Sequence, residues 1–445
     1  MFALRAVKVR LYPTPEQEVA FAKIAGCCRL VYNLGLEQRR DHWQRHRAVT
    51  GKSISWFSQK RELPLLKDEF GFLREVPADC LQNALANLQT AYDRFFKGVA
   101  DYPKPRRRYE NDSFTFPNPG QIRLAPPEGL LYLPKFNGSN RKDDTGPVRA
   151  LFHRKIPGAL RSVTISRSGT HWYAAILVRV KVKAPEPLPL DTSRITSLDR
   201  GVSVPAATAQ GEMLGHIIET ARMREREKRL RRALARCAPG SANRRKAKKA
   251  LANHRAKMAR RRADMLHQIS SRLVKNHDVI AIETLAVRAM TASAKGTAEA
   301  PGSGVARKAG LNRAILDKGW GELRRQLAYK LAWRGGRLVE VPAAYSSQEC
   351  ARCHHTDAAS RKGQIFLCAA CGHVDHADTN AAQIIRYRAL LQLGLVPAHA
   401  GSQAERQPAE GMVAAVPGEL CAGISSNGKG TGCAAPGNEP EKAMT

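Results

Sequence analysis

The spacing of apolar positions divides the chain into stretches of different texture. From Ala3 to Leu11 the residues Leu4, Val7, Val9 and Leu11 alternate loosely with Arg5, Lys8 and Arg10, which predicts a first strand. Thr14-Pro15-Glu16-Gln17 then reads as a helix start, with Thr14 as N-cap, Pro15 in the first turn and Gln17 completing a capping box. Helical periodicity continues through Cys28, Val31, Asn33 and Leu36 into a basic run, Arg39 to Arg47. A second helix is predicted from Asp79 to Lys97: Leu81, Leu85, Leu88, Tyr92 and Phe95 share one face, and Asn83, Asn87, Thr90 and Arg94 the other.

Past Pro103-Lys104-Pro105 the period shortens. Phe114 to Phe116, Leu130 to Leu133, Ser162 to Ser166 and His171 to Val182 read as short strands punctuated by Gly and Pro, the pattern of a small barrel or curled sheet. Pro185, Pro187 and Pro189 stiffen a linker. Two apolar strands, Ile195 to Gly201 and Asp278 to Leu285, each end in an acid, and a third, Ala206 to Ala209, turns at Gln210-Gly211. Between them lies a basic segment that Pro239-Gly240 splits into two helices. A loop over 292–304, a helix from Leu311 to Arg334, the strand Arg337 to Val341 and a helix starting near Asn380 complete the periodic part. Residues 395–445 lack periodicity and read as a disordered tail.

Composition sharpens this picture. The 445 residues carry 73 Lys and Arg against 39 Asp and Glu, a formal charge of +34. A compact fold with that excess repels itself unless a polyanion shares the surface. With 43% hydrophobic residues the chain can bury real cores, so it is not a basic tail overall. The apolar runs, Tyr173 to Val178 among them, are too short for a bilayer crossing, and Arg5, Lys8 and Arg10 interrupt any secretory stretch at the N-terminus. Membrane and secreted classes are excluded on this reading, and a soluble protein acting on nucleic acid leads. Arg222 to Arg262 holds 18 basic residues against two acids, Glu225 and Glu227. Within it, Arg244, Arg245, Lys246, Arg260, Arg261 and Arg262 are candidates for phosphate contact.

Ten cysteines include two Cys-x-x-Cys pairs, Cys350/Cys353 and Cys368/Cys371, with fourteen residues between them. That spacing is close to a four-thiolate zinc site of two knuckles, and Gly372 suits the second knuckle's turn. His354, His355, His373 and His376 are close enough in sequence to replace one thiolate. Three acids stand out: Asp199 before Arg-Gly, Glu283 after Val279 to Ile282, and Asp378 just past the cysteines. Singly they read as a turn former, a helix-start acid and an N-cap. Together they fit phosphodiester hydrolysis, because two Mg²⁺ ions about 4 Å apart need carboxylate ligands.

In Arg10-Leu-Tyr-Pro-Thr-Pro-Glu-Gln17, Cys28-Arg-Leu-Val-Tyr-Asn33, Leu198-Asp-Arg-Gly-Val202, Arg262-Ala-Asp-Met-Leu-His-Gln-Ile-Ser270, Ile282-Glu-Thr-Leu285, Tyr345-Ser-Ser-Gln-Glu-Cys350, Cys368-Ala-Ala-Cys-Gly372 and Ala377-Asp-Thr-Asn-Ala-Ala382 the chain resembles the TnpB (OrfB) proteins of insertion sequences, relatives of type V CRISPR effectors. The likeness runs from Val7 to Tyr387. It implies a multidomain α+β protein: a wedge β-barrel from 1–12 and 109–190, and a helical recognition domain at 13–108. A RuvC-like nuclease domain of RNase H type would span 191–345 and 374–394, with an inserted zinc ribbon, 346–373, that binds target nucleic acid.

The resemblance also implies an RNA-guided DNA endonuclease whose catalytic and Mg²⁺-binding residues match Asp199, Glu283 and Asp378, and whose zinc ligands match Cys350, Cys353, Cys368 and Cys371. Asp375 is a neighbouring acid, but the place of Asn380-Ala-Ala favours Asp378. Gln268 and His354 depart from the family pattern, which often has Lys and Gly there. Guide RNA and target DNA are the implied partners, a prokaryotic cytoplasm with its nucleoid the implied location, and the oligomeric state, monomer or dimer, is left open. Asn83 and Asn87 could contact the motif beside the target, and Tyr32, Trp43, Trp56 and Phe57 either stack on bases or form the recognition core. The competing readings are a compact type V CRISPR effector, a non-cleaving RNA-guided DNA binder and a cut-and-paste transposase.

Overall fold

A computed structural model describes residues 2–396 apart from 46–50, 52, 109–111, 137, 139–143, 203, 216–219 and 298–299. The tail expected at 395–445 therefore lies outside the described residues beyond Val396.

The first half is one antiparallel sheet with helices against it. Its strands are β1 (Phe2–Tyr12), β2 (Ser113–Phe116), β3 (Arg123–Ala125), β4 (Leu130–Tyr132), β5 (Val148–Leu151), β6 (Ala159–Ser168) and β7 (His171–Lys181), in the order β2-β6-β7-β1-β5-β4-β3. The chain's first strand thus sits at the centre, paired with β5 and β7 from far along the sequence. Val7, Val9 and Leu11 lie opposite Ile176, Ala174 and Trp172 and all six are buried, while Leu4, of the other parity, faces out at 63% exposure.

Helix α1 (Pro15–Arg45) starts on the predicted capping box: the Gln17 amide N–H donates to Thr14 Oγ1 (3.3 Å) and the Thr14 N–H to Gln17 Oε1 (3.1 Å). The Gln17 side chain also donates to the carbonyls of Thr145 and Gly146 (both 3.0 Å), tying the helix start to the sheet. Phe21, on the next turn, is fully buried among Phe114, Phe136 and Trp172. α1 alone among the described residues is long and apolar enough to cross a membrane, which the sequence reading overlooked; half of its most apolar window is buried, as in a core helix. Helix α2 (Trp56–Glu69), capped by Ser55, went unpredicted, because Pro64 and the scarcity of buried apolar residues hide its period. Helix α3 (Ala78–Phe96) buries Leu81, Leu85, Leu88 and Tyr92 as predicted, with Phe95 only half-buried.

In the second half β8 (Ile195–Asp199), β9 (Ala206–Thr208), β10 (Met213–Leu214), β11 (Val279–Thr284) and β12 (Arg337–Pro342) form a sheet in the order β10-β9-β8-β11-β12. β8, β9 and β10 run antiparallel; β8, β11 and β12 run parallel. Between them come the basic helices α4 (Ala221–Arg236) and α5 (Ala242–Asn276), the short α6 (Val287–Met290), α7 (Val305–Lys318) and α8 (Trp320–Ala332). The single helix expected from Leu311 to Arg334 is broken at Gly319, whose left-handed φ of 68° separates α7 from α8. Last come the ribbon strands β13 (Arg361–Lys362), β14 (Ile365–Leu367) and β15 (Val374–His376), then α9 (Ala377–Gln392).

Both faces of the five-stranded sheet are covered. Leu198, Ile280 and Ile282 pack with Leu266, Ile269 and Leu273 of α5 and Leu323 and Leu327 of α8. Ile195, Val279 and Ala281 pack with Ile385 and Ala389 of α9. Double burial explains the uninterrupted apolar runs of β8 and β11.

Candidate active site and thiolate cluster

Side-chain alternation carries two of the acids to one place. Asp199 shares the parity of Ile195 on β8, and Glu283 that of Val279 and Ala281 on β11, so both belong to the face covered by α9. Leu198 registers with Ile282, which sets Asp199 and Glu283 side by side at the carboxyl ends of parallel strands. α9 crosses this face with its first turn at the same end: Ser197 Oγ donates to the Ala382 carbonyl and Arg386 Nε to the Ile195 carbonyl (3.0 Å). That brings Asp378 to the other two; a Cβ added at Gly201 would lie 3.5 Å from Asp378 Oδ2.

Charge builds up there. Burial pushes the Asp199 carboxyl up to about 7, reinforced by the charges of Glu283 and Asp378 and opposed by Arg361 and Arg200. Burial also raises Glu283, which is 3% exposed, against the pull of Arg200. Glu283 Oε1 accepts from Arg200 Nε (3.1 Å) and from the Arg200 backbone N–H (3.3 Å), while a second guanidinium nitrogen donates to the Glu283 carbonyl. Glu283 Oε2 is buried with no hydrogen-bond partner. An orphaned carboxylate oxygen among further carboxylates is an environment that suits a divalent cation. Arg361 Nη2, from ribbon strand β13, donates to Asp378 Oδ1 (3.0 Å), and His376 Nδ1 accepts the Asp378 N–H (3.3 Å), so His376 caps α9 where Asp378 was the expected cap. Asp375 is turned to other work, its Oδ1 accepting from the His376 N–H (2.6 Å) and its Oδ2 from Gln383 (3.3 Å).

The four cysteine sulfurs all lie within 4.8 Å of one another, the one such cluster among the described residues; the three carboxylates are not drawn in as tightly. Cys350 Sγ to Cys371 Sγ is 3.7 Å and Cys353 Sγ to Cys368 Sγ 3.6 Å. A tetrahedron with Zn–S of ~2.3 Å has edges of about 3.8 Å, so the cysteines present fit zinc. The knuckles match in backbone: Cys350 and Cys368 carbonyls accept from the His354 and Gly372 N–H groups (2.9 and 3.0 Å), and both acceptor turns need a left-handed residue, His354 at φ 59° and Gly372 at φ 69°. His354 thus takes a strained position that glycine holds freely. Its ring lies against Tyr387 and its Nδ1 is 2.9 Å from Glu349 Oε1, so it serves the fold and not the sulfur cluster.

Three family models match the chain: "Helix-turn-helix domain" of the OrfB type at residues 1–48, "Probable transposase" of the OrfB type at 177–294, and "Cas12f1-like, TNB domain" at 320–385. Of the curated relatives, "Putative RNA-guided DNA endonuclease InsQ" of Escherichia coli (strain K12) is 34% identical over 388 residues, 86% of this chain and 92% of the relative. A "Putative RNA-guided DNA endonuclease" of Streptomyces pristinaespiralis is 32% identical over 86% of this chain and 88% of its own. The chain belongs to the TnpB (OrfB) family. Among solved structures, "Cryo-EM structure of the Cas12f1-sgRNA-target DNA complex" covers 86% of this TnpB-family chain and 99% of its own at 12% identity, with a TM-score of 0.43. Of the stretch matched by the first model, the described residues 2–45 form strand β1 and the single long helix α1.

The remaining expected contact residues of this TnpB-family chain divide. Arg245, Lys246, Arg260 and Arg261 are exposed on α5. Arg244 is half-buried and donates to the carbonyls of Leu234 (3.3 Å) and Cys237 (2.9 Å), closing the end of α4; Arg262 is paired with Asp317. Both guanidinium groups thus have partners within the fold, which a charge count does not show. Asn83 and Asn87 lie on the solvent side of α3, bonded to each other (3.1 Å). Tyr32 is core, under the Arg106 guanidinium (3.9 Å), while Trp43 and Phe57 are exposed and Trp56 half-buried, so of the two readings offered for these rings the core one fits Tyr32 and not Trp43 or Phe57. Arg200 and Arg361 were missed because an arginine's partner is set by tertiary contact; the adjacency of Arg200 to Asp199 was the one available signal.

Proposed function

We propose that this TnpB-family chain is an RNA-guided DNA endonuclease that hydrolyses target DNA beside a short adjacent motif, with Asp199, Glu283 and Asp378 as the carboxylates of a RuvC-like site. The observation that carries this reading is the meeting of three acids at one end of the β8–β11 pair, one of them with a buried, unpartnered oxygen. The relatives named as RNA-guided DNA endonucleases, which the chain matches over nearly their whole length, support it. A five-stranded sheet in which β8, β9 and β10 are antiparallel and β11 and β12 run parallel to β8, with helices on both faces and acids at the strand ends, is the arrangement expected of an RNase H-type domain.

In this reading the three carboxylates would hold two Mg²⁺ ions, whose chemistry is to lower the pKa of a bound water and to stabilise the leaving oxygen. Arg200 fixes one oxygen of Glu283 and leaves the other without a hydrogen-bond partner. Arg361 offsets the charge of Asp378 from the ribbon side. The ribbon, with zinc on Cys350, Cys353, Cys368 and Cys371, would lie against target nucleic acid. The sheet of β1 to β7 acts as the wedge barrel and α1 to α3 as the recognition region. The exposed bases of α4 and α5 grip phosphates of guide RNA or heteroduplex without reading bases, since pairing with the guide carries sequence recognition.

The test is to purify the protein expressed from its native locus, sequence the RNA bound to it, and offer that particle plasmids matching the RNA. A defined locus-derived RNA and cleavage that needs Mg²⁺ are expected. Heterogeneous cellular RNA with no guided cutting would overturn the reading. Binding without cleavage would select the non-cleaving binder, strand transfer the transposase, and a guide from a repeat array the CRISPR effector.

A further inference from the structure

Asp378 differs from its two partners in what places it. Asp199 and Glu283 stand on strands whose register is fixed by the sheet. Asp378 lies on the first turn of α9, and that turn is tied to the ribbon by several bonds. Asn380, fully buried one half-turn on, donates from Nδ2 to the Glu349 carbonyl (2.7 Å) and accepts at Oδ1 from the Ala351 N–H (2.9 Å), bracketing Cys350. Glu349, also fully buried, receives Arg388 Nη2 on Oε2 (2.6 Å) and His354 Nδ1 on Oε1 (2.9 Å). Arg388 Nη1 in turn donates to the carbonyls of Pro342 and Ala344 (both 2.8 Å), where β12 leads into the ribbon. Arg388 sits ten residues beyond Asp378, about 15 Å along the helix.

A buried ion pair of this kind is poor evidence for stability, because an apolar pair of like volume often does as well. What it supplies is a fixed arrangement: neither Glu349 nor Arg388 can leave the other without stranding a charge. The backbone around Cys350 in the first cysteine knuckle is therefore locked to both halves of α9, whose first turn carries Asp378. Without the thiolate cluster's metal, the knuckle backbone is held by its own short-range bonds, such as Cys350 N–H to the His355 carbonyl (2.9 Å), and by these links to α9.

We propose that Asn380, Glu349 and Arg388 are positioning residues that couple occupancy of the four-thiolate site to the placement of Asp378, and so to divalent-cation affinity at the three carboxylates. This rests on the reading of those carboxylates as a cation site. On this account the ribbon does more than touch nucleic acid. It sets the third ligand, while the first two stay where the sheet puts them.

The experiment titrates the full chain, with its bound RNA, with Mn²⁺ and follows free Mn²⁺ by electron paramagnetic resonance, subtracting the Asp378→Ala particle to remove ions held by RNA. Asn380→Ala should raise the half-saturating Mn²⁺ concentration about tenfold with zinc still bound. Cys353→Ser should raise it similarly. The double variant should show no more than the larger single effect, since both break one linkage. Glu349→Gln, which keeps shape and loses charge, should give about a threefold shift in the same direction. Additive effects in the double variant, or unchanged Mn²⁺ binding in Asn380→Ala, would overturn the coupling. So would Mn²⁺ loss in both Asn380→Ala and Glu349→Gln that comes only with loss of RNA and a lowered melting temperature, because the residues would then be general packing. Mn²⁺ binding is read without cleavage, so a chain that fails to cut guided targets tests the endonuclease reading separately.

Discussion

The two halves of the molecule solve opposite problems. Before residue 190 the buried side chains among the described residues form one large apolar core, with only Gln17 and Gln59 as buried polar members. After it, eighteen buried polar or charged residues interrupt smaller clusters, among them Arg200, Glu283, Glu349, Asp378 and Arg388. Burying apolar surface stabilises without direction, so the first half can tolerate rearranged contacts at its surface. Burying charge costs free energy unless partners are fixed, and the second half accepts that cost where three acids must meet. The lesson is that platform and chemistry separate along the chain, so the same kind of substitution should have different consequences in each half.

Asp199→Ala should break this contrast most visibly: cleavage falls by at least ~10⁴-fold, while guided DNA binding persists, because the side chain belongs to the carboxylate cluster and not to the duplex grip. A plasmid assay beside a binding assay on the same particle checks it, and retained Mg²⁺-dependent cutting would remove Asp199 from the trio. Next in size is Cys368→Ser, which should take zinc content well below one per chain and loosen residues 346–376 to proteolysis, with the first half still resistant; elemental analysis and limited digestion read both.

Phe21→Ala probes the other half. It removes a fully buried ring from three aromatic neighbours and should cost about 3–5 kcal/mol in urea unfolding, while the cation affinity of the acid cluster stays as it was. A large loss of cation affinity would show that the halves are not separable.

A smaller effect sharpens the charge argument. The Asp199 carboxyl titrates near 7 in the folded chain, above its unfolded value, so folding takes up a proton between about pH 4 and 7. The folded state therefore loses stability as pH rises through that window, and the loss is complete above it. Without divalent cations, Asp199→Asn should raise the melting temperature at pH 8 by about 3–6 °C and by much less at pH 5; calorimetry at the two values tests the sign. The smallest effect belongs to exposed pairs such as Lys183–Glu186 in the linker, where Glu186→Ala should change stability by less than ~0.5 kcal/mol.

Much of the site was legible in the linear chain because its determinants are short-range. Two Cys-x-x-Cys pairs announce a tetrahedral cluster, since each knuckle is a local turn. Thr14 and Gln17 announce their capping box for the same reason. Acids at the ends of two apolar runs mark the carboxyl edge of a sheet, and alternation puts both on one face once that face is known. Helix α2 was hidden by Pro64 and its few buried apolar residues, and the break at Gly319 was missed because apolar periodicity runs on across a glycine whose left-handed backbone ends the helix.

What no periodicity could supply is which charged groups find each other. Arg244 and Arg262 belong to the most basic segment, yet the fold spends them on carbonyls of α4 and on Asp317. Arg200 meets Glu283 across 83 positions and Arg361 meets Asp378 across a ribbon, pairings that depend on strand order and on where α9 begins. Local sequence chose the elements, the thiolates and the acids, because those choices rest on contacts within a few residues. Tertiary structure alone decided the environment of each acid, because burial and the distance to the next charge exist only once distant segments share one interior.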